Sequence, residues 1–165
     1  MYSRLVQTIH AAESRYLNPQ EQSIVLTYCA SMPKRLQAMK AVEQKETEIV
    51  NQVITELKKR YVNFADLHDR AWEKGFRDVQ LVLRYNVQGM LLDDSEMVAQ
   101  RLLYWMRTIM AAVGMTPRFM RDTYTLLREA CRQHLPAEAF QLLEPHLERT
   151  IAILSDIPEP HRPAV

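Results

Sequence analysis

Lys74, Arg77 and Asp78 fall within one helical turn of one another, and the aromatic residues Trp72 and Phe76 are interleaved with them. An ammonium or a guanidinium pairs with carboxylates, and a carboxylate accepts hydrogen bonds from N–H groups. The rings offer area that would either stack on a flat conjugated ligand or fill its space. Taken alone, the same charges read first as a surface ion pair on an ordinary amphipathic helix. Arg77 beside Asp78 is expected to keep the carboxylate ionised, which makes it a poor general acid near neutral pH. The expectation is therefore that the protein is not an enzyme.

Other chemistries lack their residues. With Gly only at 75, 89 and 114 there is no glycine-rich phosphate cradle, and neither a P-loop nor a G-x-S-x-G elbow occurs. No glutamate is followed three residues later by histidine, so a di-iron helical bundle has no ligand pairs, and H-E-x-x-H is missing too. The histidines at 10, 68, 134, 146 and 161 are scattered. No metal site is expected. A haem globin is the weakest candidate, because the segment 93–115, where an axial ligand would be sought, has no histidine.

The elements that must position the ionic group are helical. Strand-forming clusters bounded by turn signals are absent, so the fold class is all-α. Asn18 before Pro19, Ser31 near Pro33 and Thr116 before Pro117 each set a capping side chain beside a proline, which predicts helix starts close to 19, 33 and 117. Trp72, Phe76, Val79 and Leu83 repeat at helical spacing, as do Met120, Tyr124, Leu127 and Cys131, and both sets are expected as buried stripes. A last helix should run from Pro136 to about Leu154, ahead of a proline-rich tail expected to be flexible.

The 21 Lys plus Arg against 20 Asp plus Glu leave a net charge of +1, which argues against nucleic acid as partner. No apolar run is long enough to span a bilayer and the N-terminus lacks a signal-peptide layout, so no membrane role and a cytoplasmic location are expected. Cys29 and Cys131 sit among apolar neighbours and are expected as buried free thiols in a reducing compartment.

The segment Gly75-Phe76-Arg77-Asp78, followed by Leu83-Arg84-Tyr85, resembles the Cys-x-Arg-Asp and Leu-Arg-Tyr motif of the phycobiliproteins, the globin-like light-harvesting subunits of cyanobacterial phycobilisomes. The match continues through Met90-Leu91, Asp94, Arg101 and Gly114, and Arg15-Tyr16-Leu17 echoes it near the N-terminus. The resemblance implies a globin-like helical bundle with an N-terminal helical pair. Residues 1–32 would form a dimerising extension, 33–155 the globin-like core and 156–165 the tail. Family members attach a linear tetrapyrrole through the motif cysteine, and here Gly75 offers no nucleophile, so no covalent bilin is expected at this position.

Lys74, Arg77 and Asp78, with Trp72 and Phe76, are the residues that by resemblance would hold a bilin such as phycocyanobilin or biliverdin non-covalently. The connection at 63–69 is shorter than the family's and omits a Gly-rich loop. The family's inter-subunit ion pair joins a first-helix aspartate to the arginine matching Arg84. Ala11 takes the aspartate's place, with Glu13 nearby. The chain is most similar to the bilin-biosynthesis-associated globins, which implies a binding or regulatory role in bilin metabolism or phycobilisome maintenance. A homodimer through the N-terminal helices is implied, with phycobilisome or bilin-biosynthesis proteins as further partners. The competing expectation is a ligand-free module that docks on those proteins.

Overall fold

A computed structural model describes residues 4–67 and 69–160. His68, His161, the first three residues of the expected extension and positions 161–165 of the expected tail lie outside them. The described chain contains helices and no strand. In order these are α1 (Arg4–Ala11), α2 (Pro19–Arg60), a 3-10 turn (Val62–Leu67), α3 (Ala71–Leu92), α4 (Ser95–Val98), a π turn (Ala99–Leu103), α5 (Tyr104–Ala112), α6 (Pro117–His134) and α7 (Ala137–Leu154).

Chain reversal before α2 is fixed by local chemistry. The Asn18 side chain accepts from the Glu21 N–H at 2.9 Å, and Glu21 Oε2 accepts from the Asn18 N–H at 2.9 Å. Arg15 grips the same carboxylate with two bonds of 2.8 Å. Those contacts hold the Glu21 carboxyl down to about 2, the Arg15 bond being the main cause. The starts predicted at Pro19 and Pro117 are found, the latter with Thr116 accepting from the Phe119 N–H at 3.1 Å.

The start predicted at 33 is corrected, because α2 is one helix of 42 residues that passes through Pro33. Proline there removes the hydrogen bond to the Cys29 carbonyl. Burial immediately downstream holds the helix together: Ala38 and Val42 are in the core, and buried Arg35 reaches the end of α3. Its guanidinium donates to the Met90 carbonyl and to Asp93 Oδ1, the latter at 2.9 Å.

The core lies where α2, α6 and α7 pack together and α3 lies across them. Ile49, Leu57, Leu83, Met90, Leu127 and Leu143 are fully enclosed there. The stripe Met120, Tyr124, Leu127 and Cys131 is buried as expected. That of α3 is buried only from Val79 onward, since Trp72 and Phe76 are half-exposed near the start of the helix. Cys131 is buried, but Cys29 is exposed, on a face of α2 that no described element covers. Beyond α7 the chain is not helical, yet Ile157 is buried and Asp156 accepts from Arg107 at 3.1 Å.

On the N-terminal pair, Leu5, Ile24 and Tyr28 are half-buried, and Tyr28 Oη donates to the Leu91 carbonyl at 3.0 Å. Ile9 and Tyr16 remain exposed. Arg84 pairs within the chain, its Nε 2.8 Å and Nη2 2.7 Å from the Glu46 carboxylate.

Candidate functional site

The first turns of α3, the cavity-facing side of α5 and the start of α6 border a half-open cavity of about 460 Å³. That volume is within the usual range for small-molecule sites, roughly 300–1,000 Å³. Its existence follows from the packing. The backbone of α5 lies against α7 and the π turn, and it stands off from α2, α3 and α6. A π turn of one extra residue precedes α5, and Gly114, with φ of 81°, follows it in a conformation that an L side chain rarely adopts. These two irregularities flank the helix that stands off from the rest of the core.

The walls are mostly apolar. Met106, Ile109 and Met110 of α5 and Val113 just after it border the cavity, and Met115 and Met120 add two more thioethers. Methionine packs without a fixed shape, so this wall can follow the outline of an occupant. Opposite stands an aromatic group. Phe64, brought in by the 3-10 turn, lies 4.5 Å from Trp72 and 5.0 Å from Phe119 between ring centres, nearly parallel to the latter. Lys58 Nζ sits 5.7 Å from the Trp72 ring centre.

Of the residues singled out in the sequence, Lys74, Asp78 and Trp72 line the cavity together with Gly75. Arg77 is exposed and Phe76 half-buried, and both stand outside the lining, because they fall on the other sides of α3. Among the described residues none donates a hydrogen bond to the Asp78 carboxylate, and its neighbouring charges are Arg77 and Lys74. Here the sequence expectation is corrected. Burial outweighs those cations and moves the Asp78 carboxyl above its ordinary value, so the carboxylate is less comfortable than Arg77 alone would make it.

Gly75 faces the cavity at the motif position. A Cβ placed there would meet only the edge of the Phe64 ring, at 3.7 and 3.9 Å, which is ordinary contact. The glycine is therefore no steric necessity, and its effect is to remove the nucleophile. Periodicity assigned Tyr124 and Met120 to the core and gave no sign that this stripe borders a cavity. Phe64, Phe119, Met106, Met110 and Met115 were not singled out by spacing at all.

Among the described residues no helix is long and apolar enough to cross a membrane, and no group of acidic, histidine or cysteine side chains is arranged to hold a metal. No curated protein sequence matches the chain significantly. The family model "Phycobilisome protein" matches residues 5–154, from α1 to the last residue of α7. With the all-helical fold, the match over nearly the whole chain makes this protein a member of the phycobilisome protein family.

Proposed function

We propose that the protein binds a bilin reversibly, without a covalent tether, and serves bilin metabolism or phycobilisome maintenance and not light harvesting. The observation that carries this reading is the apolar cavity beside Gly75, with Asp78 in its lining and Lys74 among the residues that border it. A bilin is flat, largely apolar and poorly soluble as a free molecule, and it bears pyrrole N–H groups and two propionates. Asp78 accepts from the N–H groups, Lys74 pairs with a propionate, and Arg77 adds positive potential outside the cavity. In this reading the protein is a binding protein and not a catalyst.

The test is to add phycocyanobilin or biliverdin to the purified protein and record the absorption of the bound pigment. A shifted, structured band is expected. Asp78→Ala should weaken binding by about 1.5–3 kcal/mol, as for a hydrogen bond to a charged group, with little change in melting temperature. Gly75→Cys, for which the cavity has room, should give an acid-stable adduct when bilin and an attachment enzyme are supplied. If the protein stays colourless in all of these, the binding reading fails.

Exposed apolar residues favour a second, docking activity. Ile9, Tyr16 and Leu26 on α1, the following loop and α2 are 53%, 98% and 68% exposed, which is costly for an isolated chain. We propose that a second copy covers them. Since Arg84 is engaged by Glu46, that contact would rest on apolar area and not on the family's ion pair. Light scattering at tens of micromolar should show a dimer, and a monomer there would refute the pairing.

A further inference from the structure

We infer that Tyr124 is a ligand-reading residue of the cavity, and that with Asp78 it selects an occupant presenting an N–H and a C=O side by side, the edge of a lactam. The inference rests on the proposed binding role of this cavity and names the part of the ligand that is read.

Tyr124 is 3% exposed and lines the cavity from α6. Buried phenols nearly always find an oxygen or nitrogen partner. Other tyrosines of this chain do so: Tyr61 donates to Asp122 Oδ2 at 2.8 Å and Tyr28 to the Leu91 carbonyl at 3.0 Å. Tyr124 Oη instead rests on the thioether of Met106, 3.8 Å away. Sulfur of this kind is a weak acceptor. The strongest hydrogen-bond donor on that wall is thus placed against the poorest acceptor, on a flexible side chain that can move aside.

Burial and the nearby Asp78 charge push the Tyr124 hydroxyl well above its ordinary value, so it remains a donor at physiological pH. Asp78, which accepts no hydrogen bond from a described residue, faces the same space. Beside Lys74 and Thr123, the cavity therefore offers the Asp78 carboxylate as an acceptor and the Tyr124 hydroxyl as a donor, not bonded to each other. A carboxylate set against Tyr124 would be repelled by Asp78 and is better held at Lys74, which also borders the cavity. An amine would satisfy Asp78 and leave Tyr124 on sulfur. A lactam, held cis by its ring, satisfies both, and each end of a bilin carries one.

The test uses the full chain and three probes: a dipyrrinone, which is a two-ring pyrrole lactam; its O-methyl lactim ether, which has lost the N–H and the carbonyl; and biliverdin. Affinities are measured by calorimetry for the unaltered protein and for Tyr124→Phe, together with melting temperatures. The dipyrrinone should bind the unaltered protein, and Tyr124→Phe should weaken it roughly 5–10-fold, the loss of one neutral hydrogen bond. The lactim ether should bind both proteins equally poorly, and the melting temperature should not change. Equal dipyrrinone affinity in the two proteins overturns the inference. So does a lactim ether that binds the unaltered protein as tightly as the lactam, a comparison that needs no variant. A melting temperature that falls while affinity holds would mark the hydroxyl as structural and overturn it too. Biliverdin separates the two readings. If dipyrrinone binding depends on Tyr124 but biliverdin does not bind, the bilin reading falls and this one stands. If biliverdin binds both proteins alike, this one falls alone. If nothing binds, both fall.

Discussion

At the carboxyl-terminal end of α3, buried polar groups are closed on one another. Thr150 Oγ1 donates to Asn86 Oδ1 at 2.9 Å, Asn86 Nδ2 donates to the Val82 carbonyl at 2.8 Å, and Ser95 Oγ lies 3.0 Å from His146 Nδ1. At the amino-terminal end of the same helix, Tyr124 rests on sulfur and Asp78 faces a cavity. One helix thus joins a region whose polar groups are used up in holding the fold with one whose polar groups are left for something else. Burial alone does not distinguish structure from function; the partner does.

The largest expected effect that would break this contrast is at His146. Burial is the main cause that lowers its imidazole from 6.5 to about 4, so the folded state resists protonation there. Between these values the unfolded chain binds more protons than the folded one, so stability should fall as pH drops from about 6.5 toward 4. The integrated loss is on the order of 3 kcal/mol. Urea unfolding across that range should show the slope, and His146→Gln should flatten it. A slope that the substitution leaves unchanged would remove His146 from the closed region.

Alanine in place of glycine should then give opposite signs at the two ends. At Gly89 a Cβ would come within 2.5 Å of Val98 Cγ2, 3.0 Å of His146 Nδ1 and 3.2 Å of the Asp94 carbonyl oxygen. Overpacking of that kind costs about 1–3 kcal/mol. At Gly75 the space is free, and relief from glycine's backbone entropy should stabilise by about 0.5–1 kcal/mol. The two variants melted side by side decide this, and a destabilised Gly75→Ala would deny the openness of the cavity end. The smallest effect is at Asp78. Because burial raises its carboxyl, the folded state favours the protonated form and stability declines as pH rises through that value. Asp78→Asn should therefore melt slightly higher at pH 7 while binding bilin less well.

The helical frame was largely legible in the sequence, and the reasons are local. Asn18-Pro19 and Thr116-Pro117 are capping chemistry that acts within one turn. Met120 to Cys131 is a period that any buried helix face must show. Pro33 misled because a first-turn proline and a mid-helix proline look alike, and only the anchoring of Arg35 on the end of α3 decides between them. Cys29 was misplaced because periodicity marks an apolar face without saying whether this chain covers it. The site was half legible. Asp78, Lys74 and Trp72, singled out through motif spacing, do border the cavity. Tyr124 was hidden, because a side chain bordering a cavity and one inside a core share the same period. The π turn before α5, the helix that borders the cavity, has no sequence signature here.

The two tryptophans divide between the walls and the outside. Trp72 sits in the aromatic wall, 4.5 Å from Phe64, whereas Trp105 is 62% exposed on α5. Emission from this protein therefore combines one half-buried fluorophore at the cavity with one largely in water. A conjugated pigment in the cavity would lie against the first and quench it by energy transfer at short range. Trp105→Phe leaves that single emitter, and the chain then reports on its own cavity without an added label.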